Sequence, residues 1–337
     1  MVPFSRSDTN HLAVLDGWRG ISILLVLAAH LLPLGPKVWR LNSMAGPMGM
    51  ALFFILSGFL ITRFLLERPS LLDFLIRRFF RILPLAWVAM AVALAMANAP
   101  SSKALPHFLF YANLPPVQLT EAGSHLWSLC VEMQFYVAIA LLVAALGRRG
   151  LYLVPLLCLA VTLHRVQAGT LVDIVTWRRV DEILAGSMLA MAFAGRFGVM
   201  PVRLLSWLNP YILLLLLAIA SHPGSGFMNY LRPYIAALLI GSTLYNAPPH
   251  LAGLLSSSAL RYIATISFAL YVIHHLLIHT WLGSGERLEK YLKRPLLFAA
   301  TFMLAHWSTF HYERRCMDAG KRFSAWLSRG RVARSGD

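Results

Sequence analysis

Acidic residues are scarce in this chain: 14 Asp and Glu among 337 residues, against 30 Lys and Arg, for a formal charge of +16. Charge of either sign is thin, at 13% of residues, while 58% are hydrophobic. Mean hydropathy is +0.65. A water-soluble protein of this length could not hide that much apolar surface, so the composition calls for a polytopic membrane protein. Cysteine is rare too. Cys130, Cys158 and Cys316 lie in or beside apolar runs with no metal-type spacing, and read as small buried hydrophobes. No internal repeat is visible, which counts against the common transporter folds. No appended soluble domain is expected, so any chemistry is expected in the membrane region or on a partner.

What the chain does have is long apolar segments. A crossing takes about 17–25 residues. Segments of that kind fall at 12–34, 46–66, 79–98, 126–147, 150–166, 180–196, 203–221, 228–246, 261–282 and 293–312. The expectation is an all-α, polytopic integral membrane protein with about ten transmembrane helices. The first apolar run starts late, contains Asp16 and Arg19 and continues to Leu34 without a small-residue cleavage site, so it reads as an uncleaved first span. Basic residues sit between the spans, where they set topology; this weakens a nucleic-acid reading of the positive charge. With the N-terminus inside, 18 Lys and Arg fall on the cytoplasmic side, 11 fall outside and Arg19 lies within a span. That bias places both termini in the cytoplasm. Residues 99–125 are rich in Pro but hold Phe108, Phe110 and Tyr111, as expected of an outer loop on the membrane face. The domain division expected is 1–313 for the membrane domain and 314–337 for a basic cytoplasmic tail. In the tail Phe323, Trp326 and Leu327 interleave with charge, the pattern of an anchor on anionic lipid.

Ionisable residues inside apolar spans are costly and mark candidate sites. Asp16–His30 reads DGWRGISILLVLAAH. Eleven residues at about 100° each bring Arg19 and His30 to one face, about 16 Å apart, with Asp16 near the same line. His30 can take or give a proton near neutral pH, or be acylated itself. Arg19 either neutralises Asp16 or offers a fork of donors to an anionic or carbonyl-bearing ligand from the cytoplasm. Ser57-Gly58 in the second span suits close helix contact. Arg77, Arg78 and Arg81 open the third span, as topology anchors or as holders of cofactor phosphates. The fourth span carries Ser128 and Glu132 on one face, with Glu132 about 10 Å below the outer edge. Arg178-Arg179-Val180-Asp181-Glu182 opens the sixth span, as an interfacial salt-bridge knot or part of an acceptor site. Ser267, Tyr271 and His274 or His275 share a face of the ninth. His30, Glu132 and the ninth-span histidines are expected at similar depth.

Together these stretches resemble the acyltransferase-3 family of integral-membrane O-acyltransferases, from about Leu15 to Arg315. The marks are an arginine, ten residues and a histidine (Arg19, His30); FFILSGF at 53–59; the arginines of 77–81 followed by Pro84; LWSLCVEMQFY at 126–136; Arg179-Val180-Asp181 with Leu184 and Gly186; and SFALYVIH at 267–274, all in order. Departures are Ala51 and Met133 at positions often acidic in the family, and Glu313-Arg314-Arg315 where the family tends to show Glu-x-Pro. Some members carry a fused extracytoplasmic hydrolase-like domain; none is expected here. The resemblance implies transfer of an acyl group, most often acetyl, from cytoplasmic acyl-CoA to a hydroxyl of a cell-surface, exported or lipid-linked glycan. It implies a multi-pass protein of the bacterial cytoplasmic membrane. The partners expected are acyl-CoA, the sugar acceptor and membrane lipid, with no nucleic acid, no metal and no permanently bound cofactor. His30 would be the base or acyl carrier, and Glu132 would orient its imidazole. Arg19, counted with His30 and Glu132 as catalytic, would also hold the donor together with Arg77, Arg78 and Arg81, while Ser128, Arg179, Asp181, Tyr271 and His274 would serve the acceptor. The alternative is a transmembrane conduit that passes the acyl group to a separate transferase.

Overall fold

The computed structural model describes residues 7–67 and 70–334, with side chains described from 13 to 327 within those ranges. Arg6 and Arg68, which the topology reading used, and the last three residues of the tail lie outside the described residues. Among the described residues there is no strand. The helices begin with α1 (Ser7–Leu31), α2 (Leu41–Glu67), α3 (Leu71–Met96), a short α4 (Ala104–Phe108) and α5 (Trp127–Leu146). Next come α6 (Val154–Gln167), α7 (Asp181–Phe193), α8 (Met200–Trp207), α9 (Pro210–Ser221) and α10 (Met228–Asn246). The chain ends with a short α11 (Pro249–Leu255), α12 (Ser258–Ile278), α13 (Arg287–Trp307) and α14 (Arg314–Arg334).

Each expected apolar segment meets a helix. By length and apolarity, however, five stretches qualify as spans: Ala13–Leu31, Leu41–Glu67, Leu71–Met96, Ser124–Gln167 (which holds α5 and α6) and Ser258–Ile278. α6 and α7 have 14 and 13 residues, or about 20 Å at 1.5 Å per residue, against a hydrocarbon core of about 30 Å. The expected seventh span is broken into α8 and α9, bent by 89°, and counts as a sixth span only if the pair is taken as one. The cause is local. Leu208 is extended and Pro210 has no N–H to continue the helix. Asn209 caps the new start, its side-chain oxygen accepting from the Tyr211 and Ile212 N–H groups at 2.9 and 3.4 Å.

The chain forms two compact units: residues 1–63 with 150–267, and 64–149 with 268–337. In the first, α2 and α7 touch backbone to backbone. A Cβ on Gly58 would lie 1.9 Å from the Ile183 carbonyl oxygen, and one on Gly186 would lie 2.1 Å from that of Ile55. Two small residues thus let the helices close in a way no larger side chain permits. On α1, the buried Trp18 indole donates to Thr243 of α10 at 2.9 Å.

In the second unit, α14 lies along α3. Phe80 packs against Gly320 and Phe323, and the Ser324 hydroxyl donates to Asp73. The 314–334 segment is therefore a helix packed on the arginine-bearing third helix. Ser70 caps α3, accepting from the Asp73 N–H at 3.2 Å. The Pro-rich 99–125 segment is pinned to α5. The Gln134 amide donates to the Phe110 carbonyl at 2.7 Å and the Asn113 side chain at 2.9 Å.

Candidate functional site

Within the first unit, α1 carries the expected polar stripe. Arg19 pairs with Asp16 at 3.3 Å, and both remain partly exposed. The pairing and a ligand role for the fork of Arg19 are compatible, because a guanidinium has five N–H donors. His30 is the penultimate residue of α1 and is exposed.

The same unit holds a buried charge network. Arg165 pairs with Asp181; Arg232 pairs with Glu182 at 2.8 Å; Arg179 pairs with Glu182 at 3.3 Å. All five side chains are at most 1% exposed. Asp181 and Glu182 sit in the first turn of α7, where the helix dipole favours negative charge. Burial pushes the Arg179 guanidinium down to about 10, opposed by Glu182, so it stays charged at neutral pH. Arg165 and Arg232, which fall inside the expected segments 150–166 and 228–246 but were included among the 11 outer charges, lie on α6 and α10 with no exposed surface. Sequence reasoning missed both as site residues. The available signal was Arg232 standing within an apolar 19-residue helix. An apolar cavity of about 320 Å³ lies between α7, α8 and α10, walled by residues that include Ala185, Leu189, Leu205 and Tyr234. The Tyr234 hydroxyl bonds Thr162 at 3.0 Å, and Thr162 in turn donates to Asp181 at 3.5 Å.

In the second unit the arginine run is shared among different partners. Arg77 pairs with Asp73 at 2.7 Å and stays 40% exposed. The Arg78 guanidinium lies 6.0 Å from the ring centres of both Phe74 and Tyr136. Arg81 is half-buried, in the attractive field of Glu132 and Glu313 and beside Arg78. Glu132 is buried and accepts from the Tyr136 hydroxyl one turn along α5. Burial pushes the Glu313 carboxyl up; bonds from Thr309 and Ser308, and then Arg81, oppose the shift. Glu132 thus has partners on the arginine side, within its own unit. His30, which it was expected to orient, belongs to the first unit.

Ser128, Tyr271 and His274 do come together, on α5 and α12. The Tyr271 hydroxyl donates to the His125 carbonyl, so the Ser128 hydroxyl, 2.5 Å away, must donate to Tyr271. His274 is fully buried, its Nδ1 donating to the Tyr271 carbonyl at 2.7 Å. His125 adds a ring that the motif reading passed over. It stacks on His275 at 4.6 Å and lies 5.5 Å from His274. Among the described residues no group of three or more His, Cys, Asp or Glu is placed to hold a metal.

Comparison with known proteins adds to this geometry. Peptidoglycan O-acetyltransferase OatA of Listeria monocytogenes serovar 1/2a is 24% identical over 361 residues, covering 90% of this chain and 55% of its own length. Nodulation protein 10 of Rhizobium leguminosarum bv. viciae is 26% identical over 172 residues, covering 42% of this chain and 47% of its own length. The chain thus spans about half the length of these relatives. No solved structure matches. The acyltransferase domain of the acyltransferase-3 family matches residues 12–310, a stretch that holds Arg19, His30, the arginine run, Glu132 and the buried network alike. With nearly its whole length so matched, the chain belongs to the acyltransferase-3 family.

Proposed function

We propose that this chain is a membrane O-acetyltransferase that moves an acetyl group from cytoplasmic acetyl-CoA to a hydroxyl of a cell-surface or exported glycan. One observation carries the reading: Arg19 and His30 on one face of α1, inside a family match over residues 12–310. The name of the Listeria relative, a peptidoglycan O-acetyltransferase, points the same way. His30 takes the proton of the acceptor hydroxyl as its oxygen attacks the thioester carbonyl, and coenzyme A leaves as the thiol. In the two-step form His30 carries the acetyl group between donor and acceptor. The exposed position of His30 suits either route.

Arg77, Arg78 and Arg81 hold the donor phosphates, and Arg19 sits nearer the thioester. Glu132 and Tyr136 steady Arg81, so Glu132 acts on the donor side besides the proton chemistry expected of it. Ser128, Tyr271, His274, Arg179 and Asp181 belong to the acceptor side. Fixing donor and acceptor together supplies about 7–11 kcal/mol, the main resource such a site needs. In the membrane, about ten helices are set in the bacterial cytoplasmic membrane, the short α6 and α7 and the broken α8–α9 pair reaching only part of the way across, with both termini in the cytoplasm.

The test uses the purified full chain in detergent with acetyl-CoA and candidate glycans, and measures ester formation. His30→Ala, correctly inserted, is expected to lower turnover by about 10²–10⁴-fold, the usual worth of a general base; full activity overturns the assignment. Reversing the charge of Arg77 and Arg78 is expected to raise the KM for acetyl-CoA, and an unchanged KM returns both to a topology role. Thioester hydrolysis without transfer would identify an acyl conduit instead.

A further inference from the structure

The buried network of the first unit does not balance. Arg165, Arg179 and Arg232 meet Asp181 and Glu182, all at most 1% exposed. Arginine does not give up its proton at neutral pH, so among the described residues three positive charges face at most two negative ones. The neighbouring Arg178 brings its own acid, Asp173, at 3.3 Å and leaves the count unchanged. The three guanidiniums feel one another: the charges of Arg232 and Arg165 both act against that of Arg179. A lone uncompensated charge away from water is among the costliest features a fold can keep.

The donors are also underspent. Arg165 uses Nη1 on Asp181 and Nη2 on the Leu171 carbonyl at 2.8 Å, and its buried Nε has no partner. Arg232 uses Nε on Glu182 and Nη1 on Asn229 at 3.2 Å, and its buried Nη2 has no partner. The start of α7 adds the positive end of a 13-residue helix. Excess positive charge, unspent N–H donors and exclusion of water are what a buried anion requires.

We propose that this network is a binding site for a monovalent anion of the carboxylate type. The two protein carboxylates hold the arginines in place, and the ligand supplies the missing negative charge. Two sources share that chemistry: a small free carboxylate such as acetate, and the acid group of a uronic sugar. The second rests on the glycan-acceptor reading above; the first does not.

The experiment measures thermal unfolding of the purified full chain by tryptophan fluorescence. A bulky sulfonate salt keeps ionic strength constant while acetate, glucuronate or glucose is added. A saturable rise in Tm with acetate is expected, and glucose should give none. If glucuronate acts at lower concentration than acetate, the sugar acid is the ligand; if acetate acts alone, a free carboxylate is. No acetate or glucuronate effect beyond the sulfonate control overturns the proposal. The variants should move in opposite directions. Arg232→Gln removes the excess charge and one unspent donor, and is expected to weaken the apparent acetate affinity by about tenfold or more, the worth of a charged hydrogen bond. Glu182→Gln raises the excess and is expected to strengthen it. A purely structural network predicts lower Tm in both with no change in anion response. Because no turnover is measured, failure of this site and failure of the transferase reading remain separate results.

Discussion

Two groups of arginines in this molecule are held in opposite ways. In the first unit Arg165, Arg179 and Arg232 are buried on carboxylates. In the second, Arg77 is 40% exposed on a single acid, Arg78 rests near aromatic faces and Arg81 feels the charges of Glu132 and Glu313. A buried pair is expensive to form and more expensive to break, because the surviving partner keeps its charge away from water. An exposed pair is worth little and is easily exchanged for a better ligand. The first group therefore suits a fixed scaffold that demands one charge of defined sign. On the function proposed above, the second suits a phosphate-bearing donor that comes and goes at every turnover.

This contrast sets the order of expected effects. Asp181→Ala strips Arg165 of its carboxylate and is expected to cost about 3–5 kcal/mol, read as a drop in thermal or denaturant stability. A cost within the noise would mean the network is wetter than its burial implies. Gly186→Ala comes next. Its new Cβ would meet the Ile55 backbone oxygen at 2.1 Å and force apart the two helices, one of which carries Asp181 and Glu182. Overpacking of this kind costs about 1–3 kcal/mol, and loss of the anion response along with stability would tie the network to that contact. Asp73→Asn, in the second unit, is expected to cost about 0–1 kcal/mol of stability, since the pair is partly exposed. Its sharper effect would be on the KM for acetyl-CoA, which falls if releasing Arg77 frees it for a phosphate. A large stability loss with an unchanged KM would erase the contrast, making Arg77 as structural as Arg232.

Much of this was legible along the chain. Long apolar runs and intramembrane ionisable residues placed the helices and the Arg19–His30 stripe, because both signals are local. Ser57-Gly58 was readable as a close contact for the same reason. The Asn209-Pro210 break was written in the chain as a cap followed by proline, but the apolar residues around it, averaged over a span, hid it. The partners of Arg165 and Arg232 were not readable. Each looked like a loop charge near the end of an apolar run, and Arg232 finds Glu182 50 residues away. The sharing of the arginine run among Asp73, two aromatic rings and two distant acids was equally out of reach.

Composition and periodicity decided, without any coordinates, that this chain is helical, bound for a membrane and marked by the ordered motifs of one family. Hydrophobic free energy adds up residue by residue, and a helix face repeats every few positions. Only tertiary structure decided which charges are paired, which are buried and where one charge too many remains. Electrostatic energy depends on separation in space and on exclusion from water, and neither quantity is carried by position along the chain.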